Sequence, residues 1–240
     1  MAWKLHQTAT HPALDEAAPR LGLLWREART FADARRFLGA AAFDRHSDHH
    51  GDGAPVVVIP GFLASDGATA PLRHALDAAG YRAFGWEQGR NLGATLARLE
   101  RLIAHVEAIA RGEGRPVALV GWSLGGLYAR EVAKRVPEHV ARVVTMGSPF
   151  SGDPRANHAW RLYEWVNGYP VDRLPIACDL GEKPPVPTIA LWSRGDGVVA
   201  PACARGLPHE ADRAVELGCT HIGFPSADES IAAVLDALED

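Results

Sequence analysis

The sequence predicts an α/β fold, with a mostly parallel sheet of about six strands and helices on both faces. Three observations predict it. Short apolar runs that suit buried parallel strands alternate with longer segments in which apolar residues recur every three to four positions, as on one face of a helix. The connections between most of these segments are short, as in right-handed crossovers. One strand also ends in a Gly-x-Ser-x-Gly turn that leads directly into a helix.

Each predicted strand is a run of apolar, often β-branched residues bounded by glycine, proline or polar residues. The runs span residues 56–59, 81–86, 117–120, 141–146, 188–192 and 214–217. Helical periodicity predicts helices over residues 70–79, 92–109 and 228–238, and another directly after the Gly-x-Ser-x-Gly turn. In the longest helix the apolar stripe begins at Leu92 and includes Leu96. These elements assign the α/β domain to residues 51–240.

Residues 1–50 are predicted to form a helical N-terminal arm and a polar linker. Apolar residues recur at helical spacing up to residue 43, whereas residues 44–53 read DRHSDHHGDG, a composition typical of a loop. Two interpretations of the arm are open: it packs over the domain, or it forms a membrane-surface or substrate-entry element with exposed aromatic residues. A truncation that starts near Gly51 distinguishes them, because removal of a packed arm would leave an aggregating core.

The segment 151–187 interrupts the alternation of strands and helices after the strand that ends near Met146. It is too long for an ordinary connection and is rich in Trp, Tyr and Pro. Trp160, Tyr163 and Trp165 share one face if the segment is helical, so we expect a lid-like insertion that forms the apolar ceiling of a pocket. The alternative is a surface insertion that makes no contact with substrate.

The composition excludes several classes of partner. With 47% hydrophobic and 22% charged residues among 240, the chain resembles an ordinary globular domain. Its formal net charge is −4 and its Lys and Arg residues are scattered, which argues against nucleic acid. No apolar run reaches about eighteen residues and the N-terminus lacks a signal-peptide pattern, so we expect no membrane span and a cytoplasmic location. Peripheral membrane contact and the oligomeric state are left open.

No metal and no cofactor are predicted. The three cysteines lack metal-ligand spacing and are expected to be free thiols, with pairing of Cys203 and Cys219 left open for an exported protein. A polar cluster in the linker is the other candidate for a metal site, but adjacent residues in a flexible loop rarely converge on one ion. Its members are His46, Asp48, His49 and His50.

Ser123 is the candidate nucleophile. It follows the strand over residues 117–120, within GWSLGG at 121–126. A sharp strand-to-helix turn needs glycine two positions before and after the serine, because a Cβ atom there would collide with the neighbouring strand or helix. The turn exposes the hydroxyl and places it near a helix N-terminus, which favours developing negative charge. The alternative is a Gly-rich turn whose serine only caps the helix.

A serine hydroxyl needs a base to take its proton and a third group to orient that base. His221 follows the last predicted strand and Asp196 follows the strand before it, so we expect both at the same edge of the sheet as Ser123. Asp153 and Asp179 are alternatives to Asp196. We favour Asp196, because an acid at a rigid strand end holds its partner better than one in a long loop.

These motifs resemble those of the α/β-hydrolase superfamily, in particular its compact bacterial lipases and esterases. The resemblance runs from about Val56 to the C-terminus. The usual first two antiparallel strands are not evident, and Pro60-Gly61 stands where a His-Gly pair is common. The matching motifs are PGF at 60–62, GWSLGG at 121–126, GSPF at 147–150, SRGDGVV at 193–199 and THIGF at 220–224.

The resemblance implies a role for each candidate. Ser123 would attack an acyl carbonyl, His221 would act as base and then acid, and Asp196 would orient the histidine. The backbone N–H groups of Phe62 and Leu124 would form the oxyanion hole. The residues expected to bind substrate are Leu63, Trp122, Phe150, Trp160, Tyr163 and Trp165.

The favoured function is hydrolysis of a carboxylic ester through an acyl-enzyme intermediate. We expect a small-molecule ester or lipid-like substrate with a lipophilic acyl chain. One alternative keeps the same three residues but changes the bond or acceptor, as in a thioesterase, amidase or acyltransferase. Another is a ligand-binding protein that retains the fold without turnover.

Overall fold

The computed structural model describes residues 18–34, 50–153, 155–158, 160–168, 170, 176 and 178–239. The strands are β1 (Pro55–Ile59), β2 (Arg82–Phe84), β3 (Val117–Trp122), β4 (Val140–Met146), β5 (Thr188–Ser193) and β6 (Arg213–Leu217). The helices are α1 (Leu21–Ala34), α2 (Ala70–Ala78), α3 (Leu96–Glu113), α4 (Leu124–Arg135), α5 (Trp160–Asn167), α6 (Pro201–Arg205) and α7 (Asp228–Glu239). Short 3₁₀ turns precede α2 and β4, at Asp66–Thr69 and Pro137–His139.

The strands form one six-stranded sheet in the order β2-β1-β3-β4-β5-β6. Every neighbouring pair is parallel, so the carboxyl ends of all the strands lie at one edge. The predicted α/β class and parallel six-stranded sheet are therefore confirmed. β3, which ends one residue before Ser123, lies inside the sheet between β1 and β4.

Two hydrophobic cores cover the two faces of the sheet, and β1 shows why. Its residues alternate: Val56 and Val58 belong to the core that includes α2 and α7, whereas Val57 and Ile59 belong to the core that includes α3 and α4. Side chains alternate between the faces of a strand, so a strand buried on both faces must be apolar throughout. This explains why the strands appear in the sequence as continuous apolar runs.

Helix α3 begins later than the predicted 92–109 segment. Thr95 is its N-cap, and its side chain accepts a hydrogen bond from the backbone N–H of Arg98. Leu92 therefore precedes the helix, and Leu92 and Leu96 are 41% and 52% exposed. The prediction that the helix begins at Leu92 was wrong, because the Thr95 cap sets its start. Leu96 is the first residue of the helix, but its side chain is exposed rather than packed on the sheet. The helix ends at Glu113 and is capped by Gly114, which adopts a left-handed conformation.

Parts of two predicted segments lie outside the described residues. In the N-terminal segment the structure describes a helix at Leu21–Ala34, while the residues His46, Asp48 and His49 of the polar cluster are not described. In the 151–187 segment it describes α5, which carries three of the aromatic residues considered above. Among the described residues, no helix is long and apolar enough to cross a membrane.

Candidate active site

The Ser123 turn joins β3 to α4 at the carboxyl edge of the sheet. Ser123 has φ 55° and ψ −120°, a left-handed conformation that L-residues rarely adopt. A Cβ atom on Gly121 would overlap the backbone of Gly125 and Gly126, and one on Gly125 would overlap Ile59 O. The glycines therefore allow the helix to approach β1 and β3, and the turn between them holds the serine in a strained conformation.

Asp196 and His221 form a buried hydrogen-bonded pair at the same edge. His221 Nδ1 lies 2.7 Å from Asp196 Oδ2. The second carboxylate oxygen, Oδ1, accepts hydrogen bonds from the backbone N–H groups of Val198 and Val199, each at 2.8 Å. Asp196 is only 1% exposed, and its position is fixed by the turn that follows β5. The carboxylate can thus hold the imidazole in the tautomer with the proton on Nδ1.

Trp122 connects the histidine loop to the Ser123 turn. Its indole Nε1 donates a hydrogen bond to the backbone carbonyl of His221 at 3.0 Å, and the two rings lie 5.8 Å apart between centroids. His221 therefore packs against the residue that directly precedes Ser123. Ser123 and His221 are both described, and no hydrogen bond joins Ser123 Oγ to the imidazole. In unliganded enzymes this contact is often loose and shortens when substrate binds.

The alternative acids lie in other hydrogen bonds. Asp153 is exposed, and its Oδ1 accepts a hydrogen bond from the backbone N–H of Arg155. Asp179 is also exposed, and its Oδ1 accepts one from the N–H of Gly181. Of these three acids, Asp196 is the one that pairs with His221.

Glu27 and Asn91, which are not among the predicted site residues, support the loops at this edge of the sheet. Glu27, on α1, accepts hydrogen bonds from the backbone of both the Asp196 turn and the His221 loop. Asn91 is fully buried, and its Nδ2 donates to the Pro60 carbonyl at 2.8 Å. A polar residue within an amphipathic or loop segment carries no local sequence signal for such distant partners.

The charges around the imidazole affect its protonation. Burial, the largest effect, lowers the pKa of His221. The charge of Asp196, its hydrogen bond to the ring and the charge of Glu27 all raise it. Together they exceed the effect of burial, so the pKa of His221 lies above its ordinary value.

The loop after β1 lies against the Ser123 turn. A Cβ atom on Gly61 would be 3.2 Å from Ser123 Cβ, so the two segments are in close contact. Within the described residues, the N–H of Phe62 donates no hydrogen bond to another residue. Leu124 is the first residue of α4, and its N–H has no acceptor within the helix. These two amides are therefore available to an external oxygen atom.

Neighbouring contacts hold this loop in shape. Leu63 has φ 63°, and its N–H donates to the carbonyl of Asn91 at 2.7 Å. The amide of Leu63 is thus already committed, in contrast to that of Phe62. The fixed loop geometry keeps the Phe62 amide at the carboxyl edge of the sheet.

The residues expected to bind substrate occupy different environments. Tyr163 is buried against Phe62, with ring centroids 5.1 Å apart, and its hydroxyl accepts a hydrogen bond from the N–H of Ala94 at 2.9 Å. Trp160 is partly exposed, with the Arg155 guanidinium 5.8 Å from its ring centroid. Trp165 lies in α5, but its side chain is outside the described part.

Phe150 differs from the other aromatic residues. It is 1% exposed and packs with Ala190 and Ala211, with the Arg130 guanidinium 4.2 Å from its ring centroid. Its side chain therefore has almost no surface to offer a substrate. Trp122 is also buried and supports the His221 loop as described above.

No group of three or more His, Cys, Asp or Glu side chains that could hold a metal ion occurs among the described residues. The cysteines at 178, 203 and 219 form no disulfide with one another.

Comparison with known proteins agrees with this architecture. The family model for the alpha/beta hydrolase fold matches residues 54–175. The chain belongs to the alpha/beta hydrolase family. The match begins just before β1 of this alpha/beta hydrolase and includes the Ser123 turn. No curated protein matches the sequence.

Solved structures with the same fold include enzymes with several activities. A monoacylglycerol lipase from Paleococcus ferrophilus is 18% identical, with a TM-score of 0.54 over 78% of this hydrolase and 95% of the lipase. A pyrethroid hydrolase from Sphingobium faniae JZ-2 is 19% identical, with a TM-score of 0.57 over 78% and 97% of the two chains. A thioesterase domain from the curacin biosynthetic pathway is 15% identical, with a TM-score of 0.50 over 78% and 92%. At these identities the likeness concerns the fold.

Proposed function

We propose that this alpha/beta hydrolase cleaves carboxylic esters through an acyl-Ser123 intermediate. The observation that carries the proposal is the buried Asp196–His221 pair, with a 2.7 Å hydrogen bond, packed against the residue that precedes a strained, partly exposed serine. A binding protein needs no such acid–imidazole pair beside a serine, whereas nucleophilic catalysis does.

In the first half of the reaction, Ser123 Oγ attacks the ester carbonyl carbon while His221 Nε2 takes the hydroxyl proton. The developing oxyanion accepts hydrogen bonds from the N–H groups of Phe62 and Leu124, each worth about 3 kcal/mol of transition-state stabilisation. The bond between carbon and alcohol oxygen then breaks, and the imidazolium returns the proton to the leaving alcohol.

In the second half, water replaces the alcohol. His221 Nε2 takes a proton from the water as its oxygen attacks the acyl carbon, and the imidazolium then protonates Ser123 Oγ as the bond from that oxygen to carbon breaks. A carboxylic acid leaves and the serine is restored. Asp196 stays ionised and stabilises the imidazolium in both halves.

The raised pKa of His221 predicts the pH dependence of the reaction. The base must be neutral to accept a proton, and the pKa of His221 is raised. Activity should therefore fall as the pH drops through this raised pKa. Raising the pH above it restores the neutral base.

The surroundings favour an apolar acyl group. Phe62, in the proposed oxyanion loop, packs against the buried ring of Tyr163, which lies on α5. We assign residues 51–240 to the hydrolase domain, residues 1–50 to an N-terminal arm and residues 151–187 to an insertion that covers the site. The lipase among the structural neighbours supports a lipophilic substrate.

A chain-length series of p-nitrophenyl esters tests the proposal. Wild type should hydrolyse at least one ester and should react with a fluorophosphonate probe, while Ser123→Ala should do neither. Circular dichroism of both proteins provides the folding control. Folded wild-type protein that neither turns over an ester nor is labelled would refute the proposal.

Thioester hydrolysis is the second candidate, because a thioesterase domain shares the fold. The same residues would attack a thioester carbonyl, and the leaving group would be a thiol. Rates on an oxygen ester and a thioester with the same acyl chain distinguish the two. A kcat/KM at least tenfold higher for the thioester would favour the second candidate.

A further inference from the structure

Glu27 is a buried carboxylate that the reaction above does not use. It lies on α1, is 4% exposed and comes from the N-terminal segment rather than from the sheet. Its Oε1 accepts hydrogen bonds from the backbone N–H groups of Gly197 at 2.8 Å and His221 at 2.7 Å. Its Oε2 accepts one from the N–H of Ile222 at 2.9 Å. Three backbone donors from two separate loops thus converge on one side chain.

The two loops are those that carry the proposed acid and base. Gly197 directly follows Asp196, and the second donor belongs to His221 itself. Glu27 therefore ties the backbone of the acid turn to the backbone of the histidine loop. Hydrogen bonds to an ionised acceptor are stronger than neutral ones, so the carboxylate can resist separation of the two loops.

The surrounding sequence accommodates this contact. A Cβ atom on Gly197 would lie 2.8 Å from both the carbonyl carbon and oxygen of Leu23, and 3.0 Å from Glu27 Cγ. Any other residue at 197 would push α1 away from the loop. One turn further along α1, Thr30 Oγ1 lies 3.1 Å from Thr220 Oγ1. The helix and the loops thus fit together at more than one point.

Glu27 also contributes charge near the imidazole. The charged groups that act on the ring are Asp196, from the turn after β5, and Glu27, from α1; the other close rings, Trp122 and Phe224, carry no charge. Negative charge favours the imidazolium that forms during proton transfer. Removal of one carboxylate should therefore be visible in the titration of His221.

We infer that Glu27 is a positioning residue of the proposed active site, which holds the His221 loop against the Asp196 turn so that acid and base stay in hydrogen-bonding contact. The inference rests on the proposed function. It also gives the N-terminal helix a role in the reaction, since the residue that joins the two loops lies outside the sheet and its crossovers.

Two variants separate the hydrogen bonds of Glu27 from its charge. Glu27→Gln keeps the length of the side chain and one acceptor oxygen, but its NH₂ group would face the N–H of Ile222. Glu27→Asp keeps the charge, but the shorter chain cannot reach all three donors. The matched control is Asp212→Asn, which removes a carboxylate that accepts the N–H of Thr188 at the opposite end of β5.

The first measurement is kcat and KM for p-nitrophenyl butyrate across pH, with the full-length protein. Glu27→Gln should lower kcat by about 10- to 100-fold with little change in KM, because the base is misplaced rather than the substrate. The acid limb of its profile of kcat against pH should move to lower pH, because loss of the Glu27 charge lowers the pKa of His221. Glu27→Asp should lower kcat but keep the limb near that of wild type. Asp212→Asn should change neither.

The second measurement is an NMR titration of isotope-labelled histidine, with the His221 signal assigned by its loss in His221→Gln. It requires no turnover. Glu27→Gln should titrate at lower pH than wild type and Asp212→Asn should not. Thermal unfolding of each variant gives the folded fraction, and if Glu27→Gln does not fold, Glu27→Asp carries the kcat test.

A purely structural contact would give a different pattern. The inference is overturned if folded Glu27→Gln, whatever its loss of stability, keeps the wild-type kcat, pH dependence and His221 titration. It is also overturned if a folded Glu27→Asp keeps the wild-type kcat. Failure of the proposed function is separate, because wild-type protein would then neither be labelled at Ser123 nor hydrolyse an ester, whatever the titration shows.

Discussion

Replacing Asp196 by Asn tests the proposed relay most directly. Asp196 Oδ1 accepts two backbone N–H groups, from Val198 and Val199, while Oδ2 faces His221 Nδ1. In Asp196→Asn the amide oxygen should keep the two backbone donors, which leaves the NH₂ group facing Nδ1. Nδ1 must then accept a hydrogen bond and Nε2 must carry the proton. That tautomer cannot take a proton from Ser123.

The expected loss is about 10⁴-fold in kcat, the size that a wrong histidine tautomer causes in serine hydrolysis. The pH dependence should change as well. Asp196 accounts for the two largest effects that raise the pKa of His221, and burial, which lowers it, would remain. The pKa of His221 should therefore fall, and the acid limb of the residual kcat/KM should move to lower pH.

The assay is kcat/KM for p-nitrophenyl butyrate between mildly acidic and neutral pH, with Asp153→Asn as the matched control. The Asp153 side chain is exposed and accepts a hydrogen bond from the nearby backbone N–H of Arg155, so its replacement should change the rate less than about twofold. A folded Asp196→Asn that stays within tenfold of wild type would refute the reasoning. If Asp153→Asn loses the activity instead, the acid has been wrongly assigned.

Further predictions concern stability and thiol reactivity. Gly125→Ala would overlap Ile59 O and should prevent folding or lower the melting temperature sharply, whereas Gly112→Ala, in open space within α3, should stabilise by about 0.5–1 kcal/mol in thermal or urea unfolding. Arg130→Met would leave four carbonyl groups without the buried guanidinium and should cost about 2–4 kcal/mol in urea unfolding; an unchanged midpoint would contradict this. Burial raises the pKa of Cys219 to about 12, so this thiol should react with a disulfide reagent at pH 8 only after denaturant is added, and prompt reaction in buffer would show that it is accessible.

Much of the fold was predictable because its strands are buried on both faces. The central run over residues 117–120 was predicted as a strand, and β3 extends it only to Trp122. The start of α3 was not predicted correctly. An apolar periodicity does not distinguish Leu92, which precedes the helix, from residues within it, and the hydrogen bond of Thr95 decides the boundary. Helix α6 was also missed, because five residues are too few to show a period.

The candidate site was predictable where a residue follows a strand directly. Asp196 and His221 follow β5 and β6, and parallel strands bring their carboxyl ends to one edge, so their meeting follows from the order of elements. Phe150 was expected to bind substrate, but its ring is 1% exposed and packs beneath the Arg130 guanidinium. The position of this side chain depends on packing that the sequence does not display.

The sequence by itself determined what depends on neighbouring residues: the continuous apolar strands, the glycine-flanked turn at Ser123 and the order of nucleophile, acid and base along the chain. Only the tertiary structure decided which distant groups support them. Glu27 lies 170 positions from Gly197 and 194 from His221, and no local pattern links residues so far apart. Their contact arises because α1 packs across two loops whose backbone N–H groups need an acceptor once they are buried.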